Sequence, residues 1–249
     1  MARSLSSVVP TLLAALLAIT TVVGCAGAQK RQAEMQKQGE SLRIDLAELY
    51  VQKNARQAAV PLLQRILAER PLDVRARVLY GTVLRDLSLY PQAEAELRRA
   101  LQIEANRSDA HAALAILLDL TGRHDEALQH HVLATRLAPG SADYRNNLGF
   151  SLLAAGDAEQ AIPALEAALA LDPGLSHAYA NLGFAYGRAG RLDDAERTFR
   201  AGLGEAGALI NLSLVHAERG DAETAAALRE RAYILSPDSR PTAFTMEQP

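Results

Sequence analysis

The sequence has 249 residues and a formal net charge of −3 at pH 7, a balance that offers no basic surface and argues against a nucleic-acid partner. Hydrophobic residues make up 49% of the chain, aromatic residues only 4%, and there is no tryptophan. The core must therefore be built mainly from Ala and Leu, which favour helix. Because Cys25 is the only cysteine, a disulfide within the chain is excluded.

The first 25 residues have the pattern of an export signal. Arg3 is followed by an uncharged, mostly apolar stretch from Val8 to Val23, which is shorter than the roughly 20 residues that a membrane-spanning helix requires. The stretch ends in Val22-Val23-Gly24-Cys25, which resembles the lipobox of bacterial lipoproteins. The resemblance implies that residues 1–24 form a cleaved signal peptide and that Cys25 carries lipid, including palmitate. The alternative is an ordinary signal peptide, or an uncleaved anchor, with an incidental cysteine.

The residue after Cys25 indicates the membrane to which the protein is anchored. In bacteria with two membranes, Asp at this position is associated with retention at the inner membrane, and Ala26 resembles the outer-membrane class. We therefore expect an outer-membrane lipid anchor with the rest of the chain in the periplasm, or a cell-membrane anchor where no outer membrane exists. Residues 25–39, polar and rich in Gln and Lys, predict a tether behind the lipidated cysteine.

The rest of the chain is organised by a period of 34 residues. One column of the repeat is always alanine: Ala59, Ala93, Ala127, Ala161 and Ala195. A second column is always small: Ala47, Gly81, Ala115, Gly149 and Gly183. A third column has turn-forming residues: Asn54, Ser88, Gly122, Gly156 and Gly190. A sixth copy follows after 30 residues instead of 34, with Gly220 and Ala225 in the corresponding places. Internal repeats of this length are typical of helical arrays.

This joint pattern, with prolines such as Pro139 and Pro173 closing the copies, resembles the tetratricopeptide repeat (TPR) family. The resemblance implies an all-α, right-handed solenoid of five to six helix-turn-helix repeats over residues 40–237. The expected repeats are residues 40–73, 74–107, 108–141, 142–175, 176–205 and 206–237, followed by a disordered tail at 238–249. Each repeat would be two amphipathic helices, A and B, that must stack on neighbours to bury their apolar faces.

Several positions depart from the regular repeat. Pro61 and Pro163 lie past the first turn of a predicted helix B, where each removes a backbone hydrogen bond, whereas Pro91 lies at a helix start. The glycine-rich segment 202–207 coincides with the missing four residues, and predicts a shortened link between the fifth and sixth repeats. The sixth repeat carries Arg229 at a column that is apolar in most other repeats, and we expect it to cap the array.

No motif indicates catalysis, so we predict no enzyme activity, cofactor, metal or small-molecule substrate. The six histidines show no two-histidine metal spacing with a carboxylate partner, and we expect them at the surface or in a groove. The glycines punctuate helical turns instead of forming a phosphate-binding loop. No motif suggests a Ser, His and acid set.

The candidate site is the groove that the A helices line in this family. Asn147, Asn181 and Asn211 share one column there, and an Asn amide can bond a peptide backbone through both its C=O and NH₂ groups. The alternative is that Asn is simply common at this column. Phe150 and Phe184 form an apolar stripe with Leu214, either as groove contacts or as packing between helices. Further expected groove residues are Asn146, Asp143, His177 and Arg188.

A lipid-anchored TPR protein with this layout resembles two kinds of pilus-assembly lipoprotein. One is the TadD type of tight-adherence (Flp) pili, and the other is the PilF or PilW type of type IV pilus pilotin. The resemblance implies a membrane-anchored scaffold that binds protein partners, such as a secretin or another pilus-assembly component, during assembly of an envelope machine. An envelope adaptor that presents cell-wall hydrolases is the alternative.

Overall fold

A computed structural model describes residues 30–31, 34–35 and 42–236 of the chain. All regular elements in those ranges are α-helices, as the all-α prediction requires. None of these helices is both long enough and apolar enough to cross a membrane. The predicted signal peptide, Cys25, most of the tether and the predicted tail at 238–249 lie outside the described residues.

The helices follow one another with short connections. In chain order they are α1 (residues 42–52), α2 (Arg56–Glu69), α3 (Val74–Asp86), α4 (Tyr90–Ile103), α5 (Ser108–Leu120), α6 (His124–Leu137), α7 (Ala142–Ala154), α8 (Ala158–Leu171), α9 (Ser176–Arg188), α10 (Leu192–Glu218) and α11 (Ala222–Leu235). Odd-numbered helices up to α9 are A helices, and even-numbered helices up to α8 are B helices. Helix α10 is helix B of the fifth repeat before Gly204 and helix A of the sixth after it.

The described residues fall into two compact units, divided between Pro71 and Leu72. In the first unit, α1 buries Ile44 and Ala47, and α2 buries an apolar face that includes Leu63. An ion pair of 2.6 Å between Arg43 Nη1 and Glu69 Oε2 joins α1 to the end of α2.

The second unit contains α3 to α11, and each helix packs against the next one along the chain. Successive A helices also approach one another closely (α3 with α5, α5 with α7, α7 with α9), whereas successive B helices of this described unit do not. The unit therefore curves toward its A helices, which line the inner face.

The small-residue columns explain how the two helices of a repeat approach so closely. The predicted alanine column, from Ala59 to Ala195, is fully buried at all five positions. A Cβ atom added at Gly149 would lie 2.5 Å from Leu165 Cγ, and one added at Gly183 would lie 2.3 Å from Phe199 Cε1. These distances are shorter than a normal van der Waals contact, so a side chain at either glycine would force the B-helix residue across the contact to move.

The turns between helices A and B need a left-handed residue. Asn54 and Ser88 have φ values of 57° and 60°, and the glycines at the equivalent turns, among them Gly156 at 87°, also have positive φ. Non-glycine residues adopt this conformation only rarely, and Asn is among the more tolerant. The turn predictions are therefore confirmed, including the two turns that lack glycine.

The prolines and the fifth link also follow the sequence pattern. Pro61 and Pro163 lie inside α2 and α8, and Pro91 lies in the first turn of α4. The predicted shortened link is a single break: Gly204, with φ 70° and ψ −178°, interrupts α10 and no separate loop forms. The predicted boundary between residues 205 and 206 thus falls within one helical element.

Candidate partner-binding face

The inner face of the second unit carries an asparagine cluster on α7 and α9. Asn146 is 2% exposed, and its Oδ1 accepts a hydrogen bond of 2.9 Å from Asn181 Nδ2, one repeat further along. Asn146 Nδ2 in turn donates to Asn147 Oδ1 at 3.4 Å. Three predicted groove residues are thus brought together, and the amide groups form a chain across two repeats.

Asn147 is the member of this cluster that is open to a ligand. Its side chain is half-buried, and among the described residues its Nδ2 donates no hydrogen bond. Both of its amide hydrogens and its second carbonyl lone pair are therefore available to another molecule. The amide of Asn181, in contrast, is already oriented by Asn146.

Asn211 does not continue the ladder that the sequence predicts. Its Nδ2 donates a hydrogen bond of 2.8 Å to Gly207 O, one turn earlier in the same helix. The shared column therefore does not mean a shared role, because this amide satisfies the backbone of its own helix. Asn211 therefore does not extend the asparagine chain of α7 and α9, and its role as a groove contact stays a prediction.

Phe150 and Phe184 belong to the interior. Their exposed fractions are 7% and 3%, and the ring of Phe184 packs edge-on against Phe199 with a centroid distance of 5.3 Å. Leu214 packs partly buried against the same core. Of the two roles that the sequence leaves open for this stripe, packing between helices is the one observed, so listing the two phenylalanines as groove contacts is corrected.

Arg188 fastens three inner helices at one end of the face. Its Nε and Nη2 donate to the two carboxylate oxygens of Glu218 on α10, each at 3.0 Å, and its Nη1 donates to Leu153 O at the end of α7, at 3.1 Å. The hydrogen bonds to Glu218 raise the pKa of Arg188, although partial burial opposes the effect. Arg188 therefore acts as a structural clamp on this face. Asp143 and His177 lie exposed near the starts of α7 and α9.

A polar cluster inside repeats three and four was not predicted. Asp119 on α5 accepts hydrogen bonds from His131 Nε2 at 3.0 Å, from Ser151 Oγ at 3.0 Å and from His124 Nδ1 at 3.1 Å. Burial raises the pKa of Asp119, but these hydrogen bonds outweigh burial, so the pKa is lowered overall. The ionised carboxylate thus ties α5 to α6 and α7.

A second polar contact joins the histidines of repeat three. His111 Nδ1 lies 2.8 Å from His130 Nδ1, and His111 Nε2 lies 2.9 Å from Ala105 O. Because a carbonyl only accepts, His111 Nε2 carries a proton, and the two Nδ1 atoms share one further proton. Burial, and then the proximity of His111, lower the pKa of His130.

These buried histidines correct the expectation that all six lie at the surface or in a groove. His111 and His131 are buried. A usable signal is present in the sequence: His131 occupies a column that is Leu or Phe in the neighbouring repeats (Leu97, Leu165, Phe199). A lone polar residue in a buried apolar column requires a polar partner nearby, although periodicity alone does not identify Asp119.

The polar cluster does not have the arrangement of a catalytic site. The Ser151 hydroxyl donates to the carboxylate of Asp119 and not to a histidine nitrogen, and Ser151 is fully buried, so it is not exposed to a substrate. In the part of the chain that the structure describes, no group of three His, Cys, Asp or Glu side chains could hold a metal ion. The geometry instead supports a structural role for the cluster and a binding role for the face around Asn147.

Comparison with protein families identifies the repeats. A tetratricopeptide repeat model matches residues 44–110, 113–176 and 181–240, and a second tetratricopeptide repeat model matches residues 152–209. No curated protein matches the sequence.

Solved structures share the fold at low sequence identity. PilW, described as a widely conserved type IV pilus biogenesis factor, is 20% identical with a TM-score of 0.69, over 81% of this chain and 95% of that one. PilF of Pseudomonas aeruginosa is 21% identical with a TM-score of 0.66, over 80% and 93%. YrrB, described as a TPR protein with an unusual peptide-binding site, is 22% identical with a TM-score of 0.57, over 71% and 93%.

Proposed function

Because this chain belongs to the tetratricopeptide repeat family, we propose that it is a membrane-anchored scaffold that binds protein partners during assembly of a pilus or secretion machine in the cell envelope. The repeats provide a binding surface and the N-terminal Cys25 provides the anchor. The proposal assigns binding and not catalysis to the chain.

The open amide of Asn147 on the inner face is the observation that carries the proposal. An extended peptide presents alternating backbone N–H and C=O groups, and one Asn side chain can bond both kinds. Asn146 and Asn181 lie beside it and bond each other, so the ligand-facing amide rests on a fixed support. Such preorganisation reduces the entropic cost of binding.

Two likenesses support the kind of partner. The fold resembles PilW and PilF along most of both chains, and PilW is a type IV pilus biogenesis factor. YrrB, which has the same fold at low identity, is a TPR protein with a peptide-binding site. A segment of a secretin or another pilus-assembly component is accordingly the ligand that we propose.

The binding proposal is tested by replacing one asparagine at a time. Loss of one hydrogen bond to a bound peptide costs about 0.5–1.5 kcal/mol, which is roughly a two- to tenfold increase in Kd. We expect that loss for Asn147→Ala, measured by titration of the full chain with a secretin. Asn211→Ala is the matched control, since its amide is bonded within its own helix. Equal affinities of the parent and Asn147→Ala would contradict binding at the inner face. Capture of a cell-wall hydrolase instead of a secretin would favour the hydrolase-adaptor function over the assembly scaffold.

The anchor is a separate part of the proposal. Gly24 and Cys25 at the end of an apolar stretch motivate it, and the anchor would lie at the outer membrane, facing the periplasm. We expect the parent chain to incorporate labelled palmitate and float with membranes, and Cys25→Ser to do neither. Equal labelling of the two would contradict lipidation while leaving the binding proposal intact.

A further inference from the structure

An exposed carboxylate, that of Asp143, lies one helical turn before Asn147 on α7. Residues at i and i+4 of a helix share one face, so Asp143 lies on the inner face together with the open amide of Asn147. The Asp143 carboxylate accepts no hydrogen bond and forms no ion pair with another residue that the structure describes. It is therefore an unneutralised negative charge beside the proposed peptide site.

Basic side chains near Asp143 are bonded to other groups. Arg145 donates from Nε and Nη2 to Pro139 O, at 3.3 and 3.0 Å. Arg107 donates to both carboxylate oxygens of Asp109, at 2.7 and 3.1 Å. Asp109 is the residue equivalent to Asp143 in repeat three. The carboxylate of repeat three is therefore neutralised within the chain, whereas that of repeat four is not.

The two carboxylates act together on Tyr144, which lies between them. Burial is the main cause that raises the pKa of Tyr144, and the charges of Asp109 and Asp143 raise it further. A hydrogen bond with Ser108 and the charge of Arg107 act in the opposite direction without cancelling the rise. The edge of the inner face at the starts of α5 and α7 therefore has a negative potential.

We propose that Asp143 selects a lysine or arginine in the extended peptide that binds at Asn147, which makes the preferred partner segment basic. The inference rests on the proposed binding of a peptide at the inner face. Asp143 and Asn147 are separated by about 6 Å along the axis of α7. A lysine or arginine side chain spans that distance while the backbone of the same residue is bonded to the Asn147 amide.

Exposed ion pairs are weak, so Asp143 is expected to set a preference among peptides and not to provide most of the affinity. Such a pair changes Kd by roughly 1.5- to fivefold. An aspartate or glutamate at the same place in the peptide is repelled by Asp143. The expected order of peptide affinities is therefore basic, then uncharged, then acidic at this position.

A randomised peptide library measures this preference. Peptides of about twelve residues, randomised at every position and displayed on phage, are selected on the full chain in mild detergent at low salt. We expect Lys and Arg to be enriched, and Asp and Glu depleted, at one position of the peptides selected by the parent. Asp143→Asn is expected to select peptides without this preference, and Asp143→Lys to enrich Asp and Glu instead.

Asp193→Asn is the matched control for these substitutions. Asp193 is also an exposed aspartate at the second position of its helix, but α10 begins as a B helix, away from the inner face. Asp143→Asn and Asp193→Asn thus remove the same charge from the same place in a helix, and only the first should change the selected peptides. Circular dichroism shows that each variant is folded.

Titration of the most enriched peptide gives the size of the effect. Replacing its basic residue with Gln should raise Kd for the parent by roughly 1.5- to fivefold at low salt, and by less at about 0.5 M salt, where the charges are screened. The same replacement should leave Kd for Asp143→Asn unchanged. A parent that enriches no basic residue, or a preference for Lys and Arg that persists in Asp143→Asn, overturns the proposal.

Asn147→Ala separates this inference from the proposed function. If Asn147→Ala binds the selected peptide as tightly as the parent does, peptide binding at the inner face is contradicted. If Asn147→Ala weakens binding but Asp143→Asn keeps the preference for basic residues, the inner face binds peptides and only the role of Asp143 is contradicted.

Discussion

Repeats three and four solve the same packing problem in different ways. In repeat four, Leu165 on the B helix is fully buried and lies directly over Gly149. In repeat three the equivalent residue is His131, which is equally buried but donates a hydrogen bond to Asp119. The contact of Leu165 requires only complementary packing within its own repeat. The contact of His131 requires a specific carboxylate, which in turn accepts a hydrogen bond from Ser151 of the next repeat.

This difference predicts unequal tolerance to substitution. Truncating a buried apolar side chain destabilises the protein in proportion to the atoms removed. Leaving a buried polar group without a partner instead costs the full free energy of desolvating that group. His131 already has one nitrogen, Nδ1, that is buried without a hydrogen-bond partner among the described residues. Repeat three therefore depends on the one remaining bond of this ring.

The largest effect is expected from Asp119→Ala. It removes the acceptor of three hydrogen bonds and leaves His131 buried without a partner, at a cost of about 3 kcal/mol. Urea unfolding followed by circular dichroism measures the loss. The double variant Asp119→Leu/His131→Leu gives repeat three the residues of repeat four (Leu153 and Leu165). Its free energy of unfolding should fall less than that of Asp119→Ala. Equal losses would mean that the polar bond is not what makes repeat three sensitive.

A smaller loss is expected from crowding the apolar contact with Gly149→Ala. The new methyl group would overlap Leu165, 2.5 Å away in a fully buried position. Overpacking lowers the free energy of unfolding by about 1–3 kcal/mol. The higher helix propensity of Ala offsets roughly 1 kcal/mol of that loss. Gly140→Ala is the control, since nothing lies within 4 Å of its added Cβ. Unchanged stability of Gly149→Ala would show that Leu165 moves aside freely.

The sixth repeat extends the comparison, because Arg229 occupies the column of Leu165 and is exposed. Only Ala225 and Ala232 of α11 are buried, so we expect this helix to exchange its amide hydrogens before the interior helices do. Arg229→Leu restores the apolar residue and should stabilise α11 by about 1 kcal/mol. Slower hydrogen exchange in α11, with exchange in α8 unchanged, is the expected result, and faster exchange in α11 would contradict it.

The smallest effect is a pH dependence arising from the His111–His130 pair. The lowered pKa of His130 means that the unfolded chain binds its proton more readily. This contribution to stability is therefore complete above about pH 6.5 and is lost as the pH falls through the folded pKa. Arg98, His111 and His131 act in this direction, and Glu126 opposes them.

His130→Gln measures that contribution. Between about pH 5 and pH 7.5, the midpoint temperature of thermal unfolding should rise less with pH in the variant than in the parent. A parallel dependence in the two proteins would show that the shared proton does not affect stability.

Much of the fold follows from residues acting within a single turn or a single helix pair. Gly156 and Asn54 tolerate positive φ, and Ala161 fits between two helices, so their positions in the sequence indicate where the chain turns and where helices touch. The period of 34 residues carries this local information from one repeat to the next. The candidate site was less predictable. Asn147 and Asn211 share a column, but the glycine-rich contraction next to Asn211 gives its amide a backbone partner that Asn147 lacks.

The sequence by itself determined the helix pairs, their turns and the small residues between them, because these depend on backbone conformation and on the volume of side chains at fixed spacing. Only the tertiary structure decided the partners of polar groups. His131 finds Asp119 on the preceding helix, Asn181 finds Asn146 and Arg188 finds Glu218, in each case across helices that the period aligns but does not orient. A hydrogen bond requires two atoms within about 3 Å and at a favourable angle. Such a geometry is fixed only once neighbouring repeats have packed.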